Sequence, residues 1–216
     1  MNGAHGSDKH MRTAILGGTG KLGLAFALRL YAAGHKVAIG SRDAAKAIDA
    51  AKSINEEITG TSNVDAAQSC EAAFVAVPYS GHHVLLEPLR HELRGKIIID
   101  ATVPIDPANL FQIKTVSGKS AAEETAAIIP DAHTFAAFQT ISHRILRHVD
   151  ASHDVLVAGD ANRKSDVINL IRSMKLNPID AGPIEVAGHL ERVTVLLLSI
   201  NKANKIKESG IKITGI

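Results

Sequence analysis

The sequence predicts an α/β fold: a doubly wound, mostly parallel sheet with a small C-terminal helical part. Three observations carry that expectation. Short, near-continuously apolar runs recur at 13–16, 35–40, 72–78, 96–100, 133–138, 154–159 and 177–181, as in strands covered on both faces. Segments that read as helices separate most of them, the pattern of strands joined by crossovers. The first run passes directly into a glycine-rich turn and a helix, RTAILGGTGKLG over residues 12–23.

That turn holds Gly18, Gly20 and Gly23 at the spacing G-x-G-x-x-G, the dinucleotide signature of a Rossmann-type sheet. The first glycine is expected to allow the tight turn and the second to admit a pyrophosphate against the backbone. The third packs helix against strand. The helix at 22–33 would aim its free N–H groups and positive dipole end at the phosphates. Gly34 stops it, and the strand at 35–40 ends in Gly40-Ser41-Arg42. NAD enzymes commonly place a carboxylate here for the ribose 2′-hydroxyl, and it would repel a 2′-phosphate. Ser41, Arg42 and, one turn later, Lys46 instead offer a hydroxyl and two cations, which predicts NADP(H). The alternative gives Ser41 a helix cap and leaves Arg42 solvated.

A helix at 44–55, a loop or short strand at 59–63 and a short helix at 64–69 follow. The strand at 72–78 ends in Pro78-Tyr79, and a helix at 82–93 is open to interruption at Pro88. The strand at 96–100 ends in Ala101-Thr102-Val103-Pro104. Ligands of open parallel sheets bind beyond the carboxyl ends of the strands, so Pro78, Tyr79, Thr102 and Val103 share the glycine loop's rim. Tyr79 either covers a nicotinamide or is a plain rim hydrophobe. Ser120 and Glu123 form a capping box opening a helix at 120–129. The strand at 133–138 delivers Gln139, Thr140 and Ile141 to the same rim. A strand (154–159), an amphipathic helix (163–174) and a strand closed by Asp180-Ala181-Gly182-Pro183 precede a long helix at 186–206. Its apolar stripe is Leu190, Val193, Leu197 and Ile200. Residues 1–10 read as a leader without a role in the fold, 11–183 as the dinucleotide-binding domain and 184–216 as the C-terminal segment.

Composition narrows the function. Among 216 residues aromatics make up 3% and Trp is absent, against base-stacking platforms, and a net charge of +2 implies no nucleic acid partner. No apolar run has membrane-spanning length, and the single cysteine, Cys70, suits a reducing cytoplasm. Eleven histidines raise the question of a metal. His82 and His83 are adjacent and should face different sides of a helix, while His143, His148 and His153 are spaced by five. There is no H-E-x-x-H, no cysteine pair and no G-x-S-x-G, so neither a metal nor a nucleophile is expected. Asp100 reads as a strand-end hydrogen-bond acceptor. No Lys or His is evident at the rim to move a proton, which suits hydride transfer between two preformed heterocycles.

At this point the chain resembles the NADPH-dependent reductases of the 8-hydroxy-5-deazaflavin coenzyme F420. The resemblance spans residues 11–213. It rests on ILGGTGKLG with ALRL behind it, GHKVAIGSR with Lys46 beyond, and the strand ending Val77-Pro78 before an aromatic. It extends to VPIDPA, DAGP at 180–183 and the late GIK. It implies an NADP site at Gly18, Thr19, Gly20, Lys21 and Leu22, with Ser41, Arg42 and Lys46 on the 2′-phosphate. Tyr79, Val103 and Ala137 would line the nicotinamide side, and the helix from Val186 would help form a homodimer. One departure stands out: the family pattern has H-T-I-P where this chain has Gln139-Thr140-Ile141-Ser142. Gln donates a hydrogen bond but carries no charge, which bears on the acceptor. Another acceptor (flavin, quinone, imine or metal chelate) and a non-catalytic NADP(H) sensor are the competing readings.

Overall fold

The computed structural model describes residues 10–216. Its strands are β1 (Arg12–Leu16), β2 (Lys36–Ser41), β3 (Thr59–Ser62), β4 (Ala72–Val75) and β5 (Ile97–Asp100), a separate hairpin of β6 (Ile105–Asp106) and β7 (Asn109–Ile113), then β8 (His133–Ala137), β9 (Asp154–Gly159) and β10 (Asn177–Gly182). In space the main sheet runs β10-β9-β8-β5-β4-β1-β2-β3. From β3 to β8 every neighbouring pair is parallel. The chain moves outward from β1 on one side and then crosses to β4 on the other. That reversal is the topological switch point where doubly wound sheets bind nucleotides.

β9 pairs antiparallel with β8, and β10 parallel with β9. The last two strands therefore run against the rest, and the end of β10 faces the rim opposite the glycine loop. Asp180 accepts from Lys164 Nζ there at 2.7 Å. The DAGP stretch that helps carry the resemblance is thus remote from the glycine loop.

The helices are α1 (Lys21–Ala32), α2 (Ala44–Lys52), α3 (Asn63–Ser69), α4 (His82–Leu86), α5 (Ala121–Ile128), α6 (His143–Arg147), α7 (Lys164–Ser173) and α8 (Ala187–Asn204). Successive strand residues point to opposite faces, which explains the unbroken apolar runs. Ile15, Phe74 and Ile99 enter one core with Phe26 and Leu30 of α1. Leu16, Val75 and Ile98 enter the other with Leu86, Leu89 and Leu93. A third cluster of small residues, Ala122, Ala136, Ala158 and Ala187 with Leu190, lets α8 close onto α5, β8 and β9. The proposed boundary at 183/184 falls within this contact.

The expected helix at 82–93 ends at Leu86 and gives way to a short 3-10 turn, Glu87–Leu89, containing Pro88. The capping box is present: Ser120 Oγ accepts from Glu123 N–H, and a Glu123 carboxylate oxygen accepts from Ser120 N–H at 2.8 Å. The β6–β7 hairpin and α6 have no counterpart in the sequence expectations. The leader assignment falls on residues 1–9, outside the described residues, and on His10, whose ring stands edge-on to His35 with centroids 6.3 Å apart. Among the described residues no helix is long and apolar enough to cross a membrane.

Candidate functional site

Only the first of the three glycines departs from its expected role. Gly17, not Gly18, takes the left-handed conformation (φ +66°), and a Cβ there would collide with Val77 at the end of the β4 segment. Gly18 donates to Gly40 O at 3.0 Å, and its missing Cβ would press on Ile15. Gly23 packs against Gly18, where a Cβ would lie 2.3 Å from the backbone oxygen. Gly20 is different: an added Cβ would meet nothing within 4 Å among the described residues. It is the N-cap of α1 and has no side chain with which to cap it, so first-turn N–H groups remain free. The open space above Gly20 at a helix N-terminus fits a pyrophosphate. Asn63 Oδ1 accepts from Gly17 N–H at 3.0 Å and steadies the loop, a role with no sequence signal.

At the end of β2, Ser41 is buried and its Oγ accepts from Asp43 N–H. Asp43, not Ser41, caps α2, accepting from Ala45 and Lys46 N–H. The capping alternative for Ser41 is therefore overturned. Arg42 is exposed and makes no salt bridge among the described residues, while Lys46 Nζ lies 3.8 Å from Asp43. The Arg42 guanidinium is free to meet a phosphate.

Beyond β4 and β5 the rim is tied by buried polar groups. Asp100 is fully buried; its Oδ2 lies 2.7 Å from His82 Nε2 and accepts from Thr125 Oγ1 at 2.6 Å, and its Oδ1 accepts from Thr102 N–H. Burial opposes its ionisation, but the hydrogen bonds from His82, Thr102 and Thr125 hold its carboxyl below the usual range. The expectation of a strand-end acceptor matches this geometry. Tyr79 is half-buried, its ring stacked on His82 at 5.9 Å between centroids, and its hydroxyl donates to Glu124 at 2.8 Å. Pro78 is exposed and Val103 half-buried.

His82 and His83 do not diverge as expected. A ring nitrogen of each and a Glu124 oxygen all lie within 4.8 Å of one another, although both histidines stand in the first turn of α4. Hydrogen bonds already engage these groups, His82 with Asp100 and His83 with Glu124.

Phe138 has φ +75°, rare for an aromatic residue, and this turns Gln139 inward. Gln139 Nε2 donates to Asp100 O at 2.8 Å, its backbone oxygen accepts from Thr194 of α8, and its Oε1 is buried without a partner among the described residues. Thr102 Oγ1 is similarly bare. Ala137, Thr140 and Ile141 are buried, so they back the rim rather than line it with side chains. Glu191 is wholly buried: one oxygen accepts from Ala121 N–H at 2.7 Å and the other has no partner among the described residues. Burial and the nearby Asp100 push its carboxyl up to about 8 against the Ala121 hydrogen bond. A carboxyl beside Leu190, within the apolar stripe of α8, was the signal for it.

A sheet with the order and switch point of a doubly wound fold, and a glycine loop open above a helix N-terminus, are the features of a dinucleotide-binding fold. The family model described as "NADP oxidoreductase coenzyme F420-dependent" matches residues 12–104. An F420-dependent NADP reductase of Methanothermobacter marburgensis is 36% identical, over 95% of this chain and 99% of its own. The one from Methanocaldococcus jannaschii is 34% identical, over 95% and 99%. A solved structure from Arthrobacter sp. FB24, described under the same activity, superposes with a TM-score of 0.85 at 24% identity over 95% of this chain and all of its own. The chain belongs to the F420-dependent NADP reductase family.

Proposed function

We propose that the protein moves a hydride reversibly between NADP(H) and coenzyme F420, ring stacked on ring, with no covalent intermediate. The observation that carries the nucleotide half is the open space at Gly20 beneath the α1 N-terminus, with Arg42 unpaired at the end of β2. Gly18, Thr19, Gly20, Lys21, Leu22 and Gly23 would hold the pyrophosphate; Ser41, Arg42 and Lys46 would hold the 2′-phosphate. The acceptor half rests on family membership; Thr102 and Gln139 are as buried as Thr140 and would support the rim from beneath. Pro78, Tyr79 and Val103 would frame the rings, with Ala137, Thr140 and Ile141 supporting them from beneath. Because both rings are preformed, the protein's task is to orient them and exclude water. No side chain is assigned as catalytic. We further propose a homodimer working in the cytoplasm without a nucleic acid partner.

The test mixes protein, NADPH and oxidised F420 and follows the deazaflavin's visible absorbance. Loss of absorbance, much slower with NADH, is expected. Arg42→Ala should weaken NADPH binding by about 1.5–3 kcal/mol, the range for a hydrogen bond to a charged group, and leave NADH binding nearly unchanged. Tight NADPH binding without F420 turnover would move the acceptor to another small molecule. Equal losses for both nucleotides on Arg42→Ala would remove the 2′-phosphate assignment.

A further inference from the structure

Consecutive side chains leave a regular helix about 100° apart, so neighbouring histidines do not normally address one point. His82 and His83, which open α4, converge instead: their rings stand 5.6 Å apart between centroids, tilted by 59°. Glu124 of α5 completes the group, its Oε2 lying 2.9 Å from His83 Nε2. One nitrogen of each histidine and one oxygen of Glu124 all lie within 4.8 Å of one another. Ligand atoms around a tetrahedral zinc ion stand roughly 3.3 Å apart. His83 and Glu124 are already that close.

His82 supplies a second observation. It is wholly buried, and its Nε2 lies 2.7 Å from Asp100 Oδ2. A carboxylate only accepts, so in the neutral ring the proton sits on Nε2 and the lone pair on Nδ1. Nδ1 is buried and has no partner among the described residues. A bare buried acceptor costs free energy, and a cation bound there would remove that deficit. A carboxylate holding the far N–H of the imidazole is also the usual way a metal-ligating histidine is oriented. Asp100 is fixed in turn by the Thr125 hydroxyl and the Thr102 N–H. Glu124 is prepared on its side. Its Oε1 accepts from Ser117 N–H and Oγ and can keep both bonds, while its Oε2 would exchange those from Tyr79 and His83 for the metal. Burial works against its ionisation, but hydrogen bonds, with Ser117 the largest contributor, hold its carboxyl at about 2. The His83 side chain is 36% exposed, against 3% for Glu124 and none for His82, which leaves a path of entry.

We propose that His82, through Nδ1, His83 and Glu124 bind a divalent cation of the zinc type, with Asp100 orienting His82 and water taking the remaining position. Two imidazoles and one carboxylate suit zinc and its neighbours, whereas magnesium and calcium take oxygen ligands. The site stands whichever acceptor the protein uses, and no step of hydride transfer passes through it.

The experiment strips the full chain with a chelator, desalts it and titrates zinc by calorimetry. Cobalt is titrated in parallel and followed by its visible bands, which strengthen when the ion enters a four-coordinate site. Wild type should bind one zinc per chain with a dissociation constant of about 10 µM or below. His83→Ala, and Glu124→Gln, which keeps an oxygen for Ser117, should each weaken binding at least about tenfold and lose the cobalt bands. Asp100→Asn should weaken it about 10–100-fold and keep the bands. If that variant fails to fold, the two ligand variants decide the question. His91→Ala, at an exposed histidine outside the cluster, should bind like wild type. Weaker binding by wild type, or unchanged affinity in His83→Ala, would overturn the site. Loss of binding in His91→Ala alone would do the same, by placing the metal on surface histidines.

Discussion

At the scale of single residues, the glycines make separable predictions. The spacing of Gly18, Gly20 and Gly23 was legible as a motif, but their separate jobs depend on neighbours that only the fold supplies. Gly20→Ala places a methyl in open space at an ordinary φ of −84°. The variant should melt like wild type and bind NADPH at least about tenfold more weakly, because the methyl occupies the volume a pyrophosphate needs. Gly23→Ala should do the opposite first. Its Cβ would sit 2.3 Å from Gly18 O, so helix and strand must separate, at a cost of about 1–3 kcal/mol before any ligand is added. Thermal melts and an NADPH titration on both variants separate the two roles. Normal NADPH affinity in Gly20→Ala would mean that no phosphate approaches there. Gln139 teaches the same lesson from the other side. Its place at the end of a strand was readable, but its inward turn comes from the left-handed Phe138, for which an aromatic in sequence gives no warning.

At the scale of elements, legibility followed burial. Strands enclosed on both faces leave continuous apolar text and were placed to within a few residues. The β6–β7 hairpin left none, because residues 107–112 are exposed on both sides and show no period. The join between α8 and α5 was hidden for another reason: beside the small apolar cluster it includes one buried carboxyl, Glu191, accepting from the first N–H of α5. Its pKa, raised to about 8 by burial against an ordinary 4.5, makes this join sensitive to pH. The folded state holds the proton more tightly than the unfolded chain. The contribution to stability is therefore complete below about pH 4.5 and disappears as pH rises to about 8. Glu191→Gln retains an oxygen for Ala121 N–H and cannot ionise. Denaturant titrations should show wild type losing on the order of several kcal/mol more than the variant between pH 5 and pH 8. Parallel pH profiles would mean that Glu191 is ionised in the fold.

At the scale of the whole molecule, α8 carries more apolar residues than one face can bury. The stripe read from sequence, Leu190, Val193, Leu197 and Ile200, is only partly inward: Leu190 and Leu197 are buried, Val193 half-buried, and Ile200 exposed. Leu196 (58% exposed) and Leu198 also face outward. Single exposed leucines are ordinary, but here Leu196 lines a groove of about 600 Å³ together with Phe111 of the hairpin, itself 49% exposed. The element with no sequence signature and the helix with excess hydrophobicity therefore meet at one surface. A second copy of the chain is the occupant we propose for that surface. A stable isologous contact needs roughly 800 Å² from each partner, and the outer face of α8 with the hairpin is the surface proposed for it. Light scattering on a sizing column should give twice the chain mass for wild type. Leu196→Lys, a change at an exposed position that leaves the core intact, should give the mass of one chain with the melting temperature of the isolated protomer. A wild-type protein that elutes as a single chain at micromolar concentration would rule the dimer out. A Leu196→Lys protein that remains double would place the contact on another face.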